Sequence, residues 1–182
     1  MNLIFRLIYT ALAALRRARL DPLGESLVHL TVLPHDLDVN GHMNNGRYLT
    51  HMDLGRVDLL MRVGIVRAMR VHRWAGVVAS VAVSFRRSLD PFHRYELRSR
   101  LVGWDERWFF MEQRFTRGGR LAAYAMVKIQ FSGRDGRLRP QQVIDATGSD
   151  VRSPELPPAV LEWQEAEGRL VAGGEPSAAI SA

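Results

Sequence analysis

The sequence predicts an α+β domain in which a curved antiparallel sheet wraps around one long helix. Two observations carry this. The stretch Asn45–Gly64 is amphipathic at helical spacing, with Tyr48, Met52, Gly55, Leu59 and Val63 on one face. After it the pattern changes to period two in four successive segments separated by turn residues, and a fifth short apolar run precedes the helix. One face of such a sheet must cover an apolar helix, and wrapping is the simplest solution.

The elements follow in order. Residues 2–20 repeat apolar side chains as Leu3, Ile4, Leu7, Ile8, Ala11, Leu12 and Leu15, one helical stripe, and Asp21-Pro22-Leu23-Gly24 ends it. Leu27–Leu33 reads as a strand bounded by Pro34. A polar loop over 35–44 leads into the long helix. Asn44 or Asn45 is suited to cap its start and Gly64 to terminate it, while Gly55 mid-helix implies close backbone approach by another element. Val77–Phe85, Tyr95–Leu101, Trp108–Phe115 and Ala123–Phe131 alternate as strands, with turns at Asp90-Pro91, Asp105-Glu106 and Gly118-Gly119. Beyond Gly133 the chain is rich in Gly, Pro and polar residues; 158–168 is expected to form a short helix and 173–182 to fray. The resulting division is 1–24 for the N-terminal helix and linker, 25–132 for the main domain, and 133–182 for a partly irregular extension.

Composition narrows the function. The 182 residues are 47% hydrophobic and 24% charged, values of a soluble globular chain, and contain no cysteine, which excludes disulfides, thiol nucleophiles and iron–sulfur clusters. The net charge is +6, and of the 25 basic residues only Lys128 is a lysine. Arginine excess suits phosphate contacts, but no nucleic-acid-binding signature accompanies it, so no nucleic-acid partner is expected. The N-terminal apolar run contains Arg6 and is too short to span a bilayer, which takes about 20 residues. Packing of its stripe on the domain or a dimer partner is the expected arrangement; peripheral membrane contact through residues 2–20, with the arginines at anionic headgroups, is the alternative. The expected location is correspondingly cytoplasmic, with membrane association as the variant reading.

Chemistry concentrates in His35-Asp36-Leu37-Asp38-Val39-Asn40-Gly41-His42-Met43-Asn44-Asn45-Gly46-Arg47-Tyr48. Asp and Asn favour turns and caps, so a plain capping loop is one explanation. The other is catalytic. A helix start offers free N–H groups and partial positive charge, and a carboxylate beside it serves as base or nucleophile, a combination suited to acyl transfer. No Gly-x-Ser-x-Gly is present, and His35, His42 and His51 have no recognised metal-ligand spacing, so no metal is expected.

The pattern Asp36-x-Asp38-x-x-Gly41-His42-x-Asn44-Asn45-x-x-Tyr48 resembles the signature of the hotdog-fold acyl-CoA thioesterases of the 4-hydroxybenzoyl-CoA thioesterase type, over about residues 25–132. The resemblance implies a five-stranded antiparallel sheet around a central helix, a homodimer or higher homo-oligomer, and an acyl-CoA substrate with no cofactor. It places the catalytic carboxylate on Asp38 and the backbone N–H groups that polarise the thioester at Asn45 and Gly46. It implies that His42, Asn44 and Tyr48 shape the site. Arg86 and Arg87 are candidates for the CoA phosphates, with Arg98 and Arg100 behind them; Asp53 lies near a helix acid of some relatives. The same resemblance leaves a non-catalytic acyl-CoA- or lipid-binding protein as an alternative. An enoyl-CoA hydratase ranks lower, because Asp38-x-Asn40-x-His42 is one residue short of that motif and lacks its proline.

Overall fold

A computed structural model describes residues 3–174 of the chain. Five helices and six strands follow in the order α1 (Leu3–Arg16), β1 (Glu25–Thr31), α2 (Asn45–Val63), α3 (Ile65–His72), β2 (Ala75–Phe85), β3 (Arg94–Trp104), β4 (Phe109–Arg117), β5 (Arg120–Gly133), β6 (Gly136–Arg137), α4 (Pro140–Asp145) and α5 (Pro158–Gly174). The five long strands pair antiparallel in the order β1-β3-β4-β5-β2, and the two-residue β6 adds to β5. This is the hotdog arrangement expected from the sequence, with β6 as an addition.

Helix α2 is the axis. Asn44 caps it by accepting the Gly46 N–H at 2.8 Å, and Gly64 ends it with a left-handed φ of 95°, a conformation open to glycine. The predicted face is buried: Tyr48, Met52, Leu59 and Val63 pack on Leu97, Met111, Phe115, Ala125 and Val127 from the inner face of the sheet. Gly55 is where the helix comes closest to the strands. A Cβ there would lie 2.4 Å from Ser99 Oγ and 2.9 Å from Gln113 Nε2. Both groups are fully buried and bonded, Gln113 to Ser99 Oγ and to the Met52 carbonyl, each at 2.9 Å.

Helix α1 corrects one arm of the sequence reading, the packing of its stripe on its own domain. It lies alongside α2, but the predicted apolar stripe is not what it buries. Arg6, Thr10 and Ala14 face the domain, whereas Ile4, Ile8, Leu12 and Leu15 of the stripe are exposed, with Leu3, Leu7 and Ala11 half-buried at its margin. The cause is hydrogen bonding. Arg6 finds acceptors on Asp36 and the Thr31 carbonyl, and Arg17 finds the Leu27 carbonyl at 2.9 Å and Asp58 at 3.2 Å. These anchors fix the polar edge inward and leave the apolar edge outside. The expected start at residue 2 lies outside the described residues.

Other differences are local. α3 follows Gly64 immediately and is unpredicted; so is α4, which places Val143 and Ile144 in the core at zero exposure. α5 is longer than expected, reaching Gly174, and the remainder of the expected frayed tail lies outside the described residues. It crosses the outer sheet face, where Val160 and Trp163 pack with Phe110. Lys128 pairs with Glu167 there and lies 4.8 Å from the Trp108 ring centroid. Asp58, expected on the polar face of α2, is buried and held by Ser26 at 2.6 Å and by Arg17 and Arg62.

Gly55→Ala gains about 1 kcal/mol of helix propensity but overpacks a bonded, buried site, at about 1–3 kcal/mol. The clash is against short or locked groups, so the loss should win. Urea unfolding should show net destabilisation of up to about 2 kcal/mol, with Gly55→Val worse.

Candidate active site

The loop between β1 and α2 is pinned from within by Asp36. Its carboxylate is 1% exposed. Oδ2 accepts from Arg6 Nη2 at 2.8 Å and from the Leu33 N–H at 2.9 Å; Oδ1 faces Arg47 Nε at 3.3 Å and His51 Nε2 at 3.5 Å. The Asp36 carbonyl accepts the Asn44 N–H at 2.8 Å, which brings the loop's start against the cap of α2. Burial alone would push this carboxyl up; the His51 ring beside it, the Leu33 N–H and the Arg6 guanidinium outweigh it and hold the group well below the usual carboxylate range.

His51 sits nearly two turns inside α2 and is fully enclosed. Arg6 donates to its Nε2, and its Nδ1 lies 2.5 Å from Tyr95 Oη. Arginine only donates, so Nε2 is an acceptor and Nδ1 carries the proton toward Tyr95. Burial lowers the His51 pKa, reinforced by the Arg6 charge and resisted by Asp36, which favours this neutral ring. Burial also raises the Tyr95 hydroxyl. Nothing local in the sequence singles out His51 or Arg6 for this cluster, because their partners lie far away in the chain.

Asp38 is placed differently. It is half-buried at the rim of a tight turn closed by its N–H to the His42 carbonyl at 2.8 Å, with Gly41 at a φ of 76°. Oδ1 accepts from the Asn40 N–H at 2.8 Å and the His42 N–H at 3.4 Å. Oδ2 has no partner among the described residues. The Leu37–Met43 bridge closes this turn two residues before α2 begins at Asn45. There the Gly46 N–H is taken by Asn44, while the Asn45 N–H has no acceptor among the described residues. His42 is exposed, 3.6 Å from Asp90. Tyr48 is buried against Phe85 and Phe115, its pKa pushed up to about 12 by burial.

The predicted arginines separate. Arg87 lines a depression of about 770 Å³ together with Arg94, Arg117 and Arg120. It adjoins the loop, since the Leu89 carbonyl accepts the Met43 N–H at 2.8 Å. Arg86 is exposed but does not line it. Arg98 and Arg100 are spoken for on the outer face, where they pair with Glu25, Glu96 and Glu112. Nothing in the sequence points to Arg94, Arg117 and Arg120, which meet only because the ends of β3, β4 and β5 converge. Asp53 is half-exposed and paired with Arg56, whose Nη1 donates to Gln113 at 3.1 Å. It borders an apolar pocket of about 330 Å³ between α1, α2 and β2.

Known proteins resemble this chain in sequence and in fold. The sequence profile of the thioesterase-like superfamily matches residues 32–164. Protein THEM6 of Xenopus laevis is 34% identical over 155 residues, covering 81% of this chain and 73% of the relative. Protein THEM6 of Danio rerio is 44% identical over 95 residues, 52% of this chain and 47% of the relative, so the match spans about half of that protein's length. Among solved structures, Slr0204 of Synechocystis, a 1,4-dihydroxy-2-naphthoyl-CoA thioesterase, superimposes with a TM-score of 0.60 at 13% identity, covering 70% of this chain and 98% of its own, which establishes the shared fold.

Acidification should destabilise the protein. His51 is neutral when folded, whereas the unfolded chain takes up that proton near pH 6.5. Proton uptake therefore favours unfolding, and stability rises with pH through that window. The melting temperature should fall between about pH 7.5 and 5.5. The fall should be shallower in His51→Asn, which removes the titrating ring; an unchanged slope there would assign the effect elsewhere.

Proposed function

The chain belongs to the thioesterase-like superfamily, and on that premise we propose that it hydrolyses an acyl-CoA thioester to free acid and CoA at the start of α2. The observation that supports this best is that one loop carries both an unengaged carboxylate oxygen, on Asp38, and an unengaged N–H, on Asn45 at the start of α2. The Asn45 N–H, at the positive end of the helix, polarises the thioester carbonyl and receives the developing oxyanion. The Gly46 N–H joins it only when its hydrogen bond to Asn44 Oδ1 breaks. Asp38 activates water or attacks the carbonyl directly. Two N–H groups hold its other oxygen, so the carboxylate is aimed before substrate arrives. His42, Asn44 and Tyr48 act around it: Asn44 and Tyr48 fix the helix start, and exposed His42 meets the substrate.

Substrate binding divides by chemistry. Arg87, Arg94, Arg117 and Arg120 offer an anionic nucleotide several guanidinium forks beside the catalytic loop. The apolar pocket near Leu7, Leu60 and Val77 accommodates an acyl chain. Edge strand β2 is long, exposed and apolar, with Val77 and Val78 60% and 38% exposed, so pairing with a second copy to form a homodimer is the expected way to cover it.

Asp38→Asn keeps the shape and removes the base. Turnover on an acyl-CoA panel, followed by free thiol release, should fall about 10²–10⁴-fold, with the melting temperature retained. Activity within about threefold of wild type would remove Asp38 from the reaction.

Replacing Arg94 and Arg117 by glutamine should raise KM for acyl-CoA about tenfold or more with kcat little changed. The corresponding N-acetylcysteamine thioester, which lacks the phosphates, should react as in wild type. Equal losses on both substrates would contradict a phosphate-binding role.

A further inference from the structure

Helix α1 turns its apolar side to solvent. Ile4, Phe5, Ile8, Tyr9, Leu12 and Leu15 are between 51% and 74% exposed. At 100° per residue they fill one contiguous arc, and the only polar side chain within it is Arg16. Chance exposure scatters apolar residues singly; a continuous face of this kind marks an interaction surface. The face is rigidly presented, because the opposite edge is anchored by Arg6 on Asp36 and by Arg17 on Asp58 and the Leu27 carbonyl.

We infer that this face is a docking surface for an anionic lipid bilayer, with α1 lying flat in the headgroup region. The charges select the partner. Residues 1–20 contain no acid. Arg16 lies on the face and Arg19 just beyond it; Arg19 shares a depression with Arg67 and His72 of α3. Arg16, Arg19 and Arg67 pair with no acid among the described residues, unlike Arg6, Arg17 and Arg62, which the fold consumes. Acidic lipid supplies the missing counter-charge along an apolar surface, whereas a second copy of α1 would bring a second Arg16 without an acid to meet it. No helix among the described residues is long and apolar enough to cross a membrane, so the contact is peripheral. The half-buried side chains Leu3 and Leu7 run from this face into the apolar pocket beside β2, which would open that pocket toward the lipid.

The test is cosedimentation of the full chain with vesicles of phosphatidylcholine, with and without phosphatidylglycerol. Binding should require phosphatidylglycerol and weaken as salt is raised. Ile8→Glu with Leu12→Glu should weaken it by about tenfold or more. Both positions are exposed, so melting temperature and thioester hydrolysis in detergent-free solution should stay at wild-type values, separating this surface from the active site. Three results would overturn the inference: no vesicle binding by the wild-type chain, binding untouched by the double substitution, or loss of the oligomer in light scattering on the same substitution, which would make the face a contact between copies.

Discussion

The structure depends on one buried carboxylate. Asp36 sits where α1, the β1–α2 loop and α2 meet, and a bare charge there would be prohibitively desolvated. Arg6 from α1, the Leu33 amide from the loop and Arg47 and His51 from α2 converge on it, and Tyr95 from β3 closes the far side of His51. Removing one partner of such a cluster strands the others, at a cost of about 3–5 kcal/mol. The cluster thus acts as a joint, tying four segments of sequence to one point. It also separates the two carboxylates of the motif: Asp36 is consumed in holding the loop, which leaves Asp38 on the rim, oriented by two amides and open to a substrate.

The same joint explains the orientation of α1. A helix with an apolar stripe ordinarily buries it, since burial of a Leu or Ile side chain is worth about 1.5–3 kcal/mol. Here the opposite edge carries Arg6 and Arg17, and each supplies a cation to a fully buried carboxylate, Asp36 and Asp58. Satisfying several charged groups outweighs covering the stripe, because the stripe keeps a second option outside the domain whereas Asp36 has none.

This division marks what the sequence could reveal. Helix α2, its Asn44 cap, its Gly64 stop and the close approach at Gly55 were legible because each rests on local periodicity or local backbone chemistry. The strands were legible by alternation and came out one to three residues short at most ends, where twist and bulges extend pairing past the apolar pattern. Periodicity identified which residues of α1 share a face but not which face turns inward, since that choice is made by Asp36 and Asp58, far along the chain. Arg94, Arg117 and Arg120 were illegible for the same reason. Each looks like an ordinary surface arginine until antiparallel pairing brings the strand ends together. Arg98 and Arg100, equally plausible in sequence, are neutralised by Glu25, Glu96 and Glu112 across the strands. α3 escaped because Gly64 reads as a stop and gives no hint that a second helix starts at once.

A crystal structure with a non-hydrolysable acyl-CoA thioether bound would test the assignment of the reacting groups. The expected result is the substrate's reacting carbon facing the free oxygen of Asp38, with the position of the carbonyl oxygen at hydrogen-bond distance from the Asn45 N–H, and the nucleotide phosphates among Arg87, Arg94, Arg117 and Arg120. A ligand lodged elsewhere, such as in the groove between α5 and the outer sheet face, with Asp38 and Asn45 untouched, would contradict it.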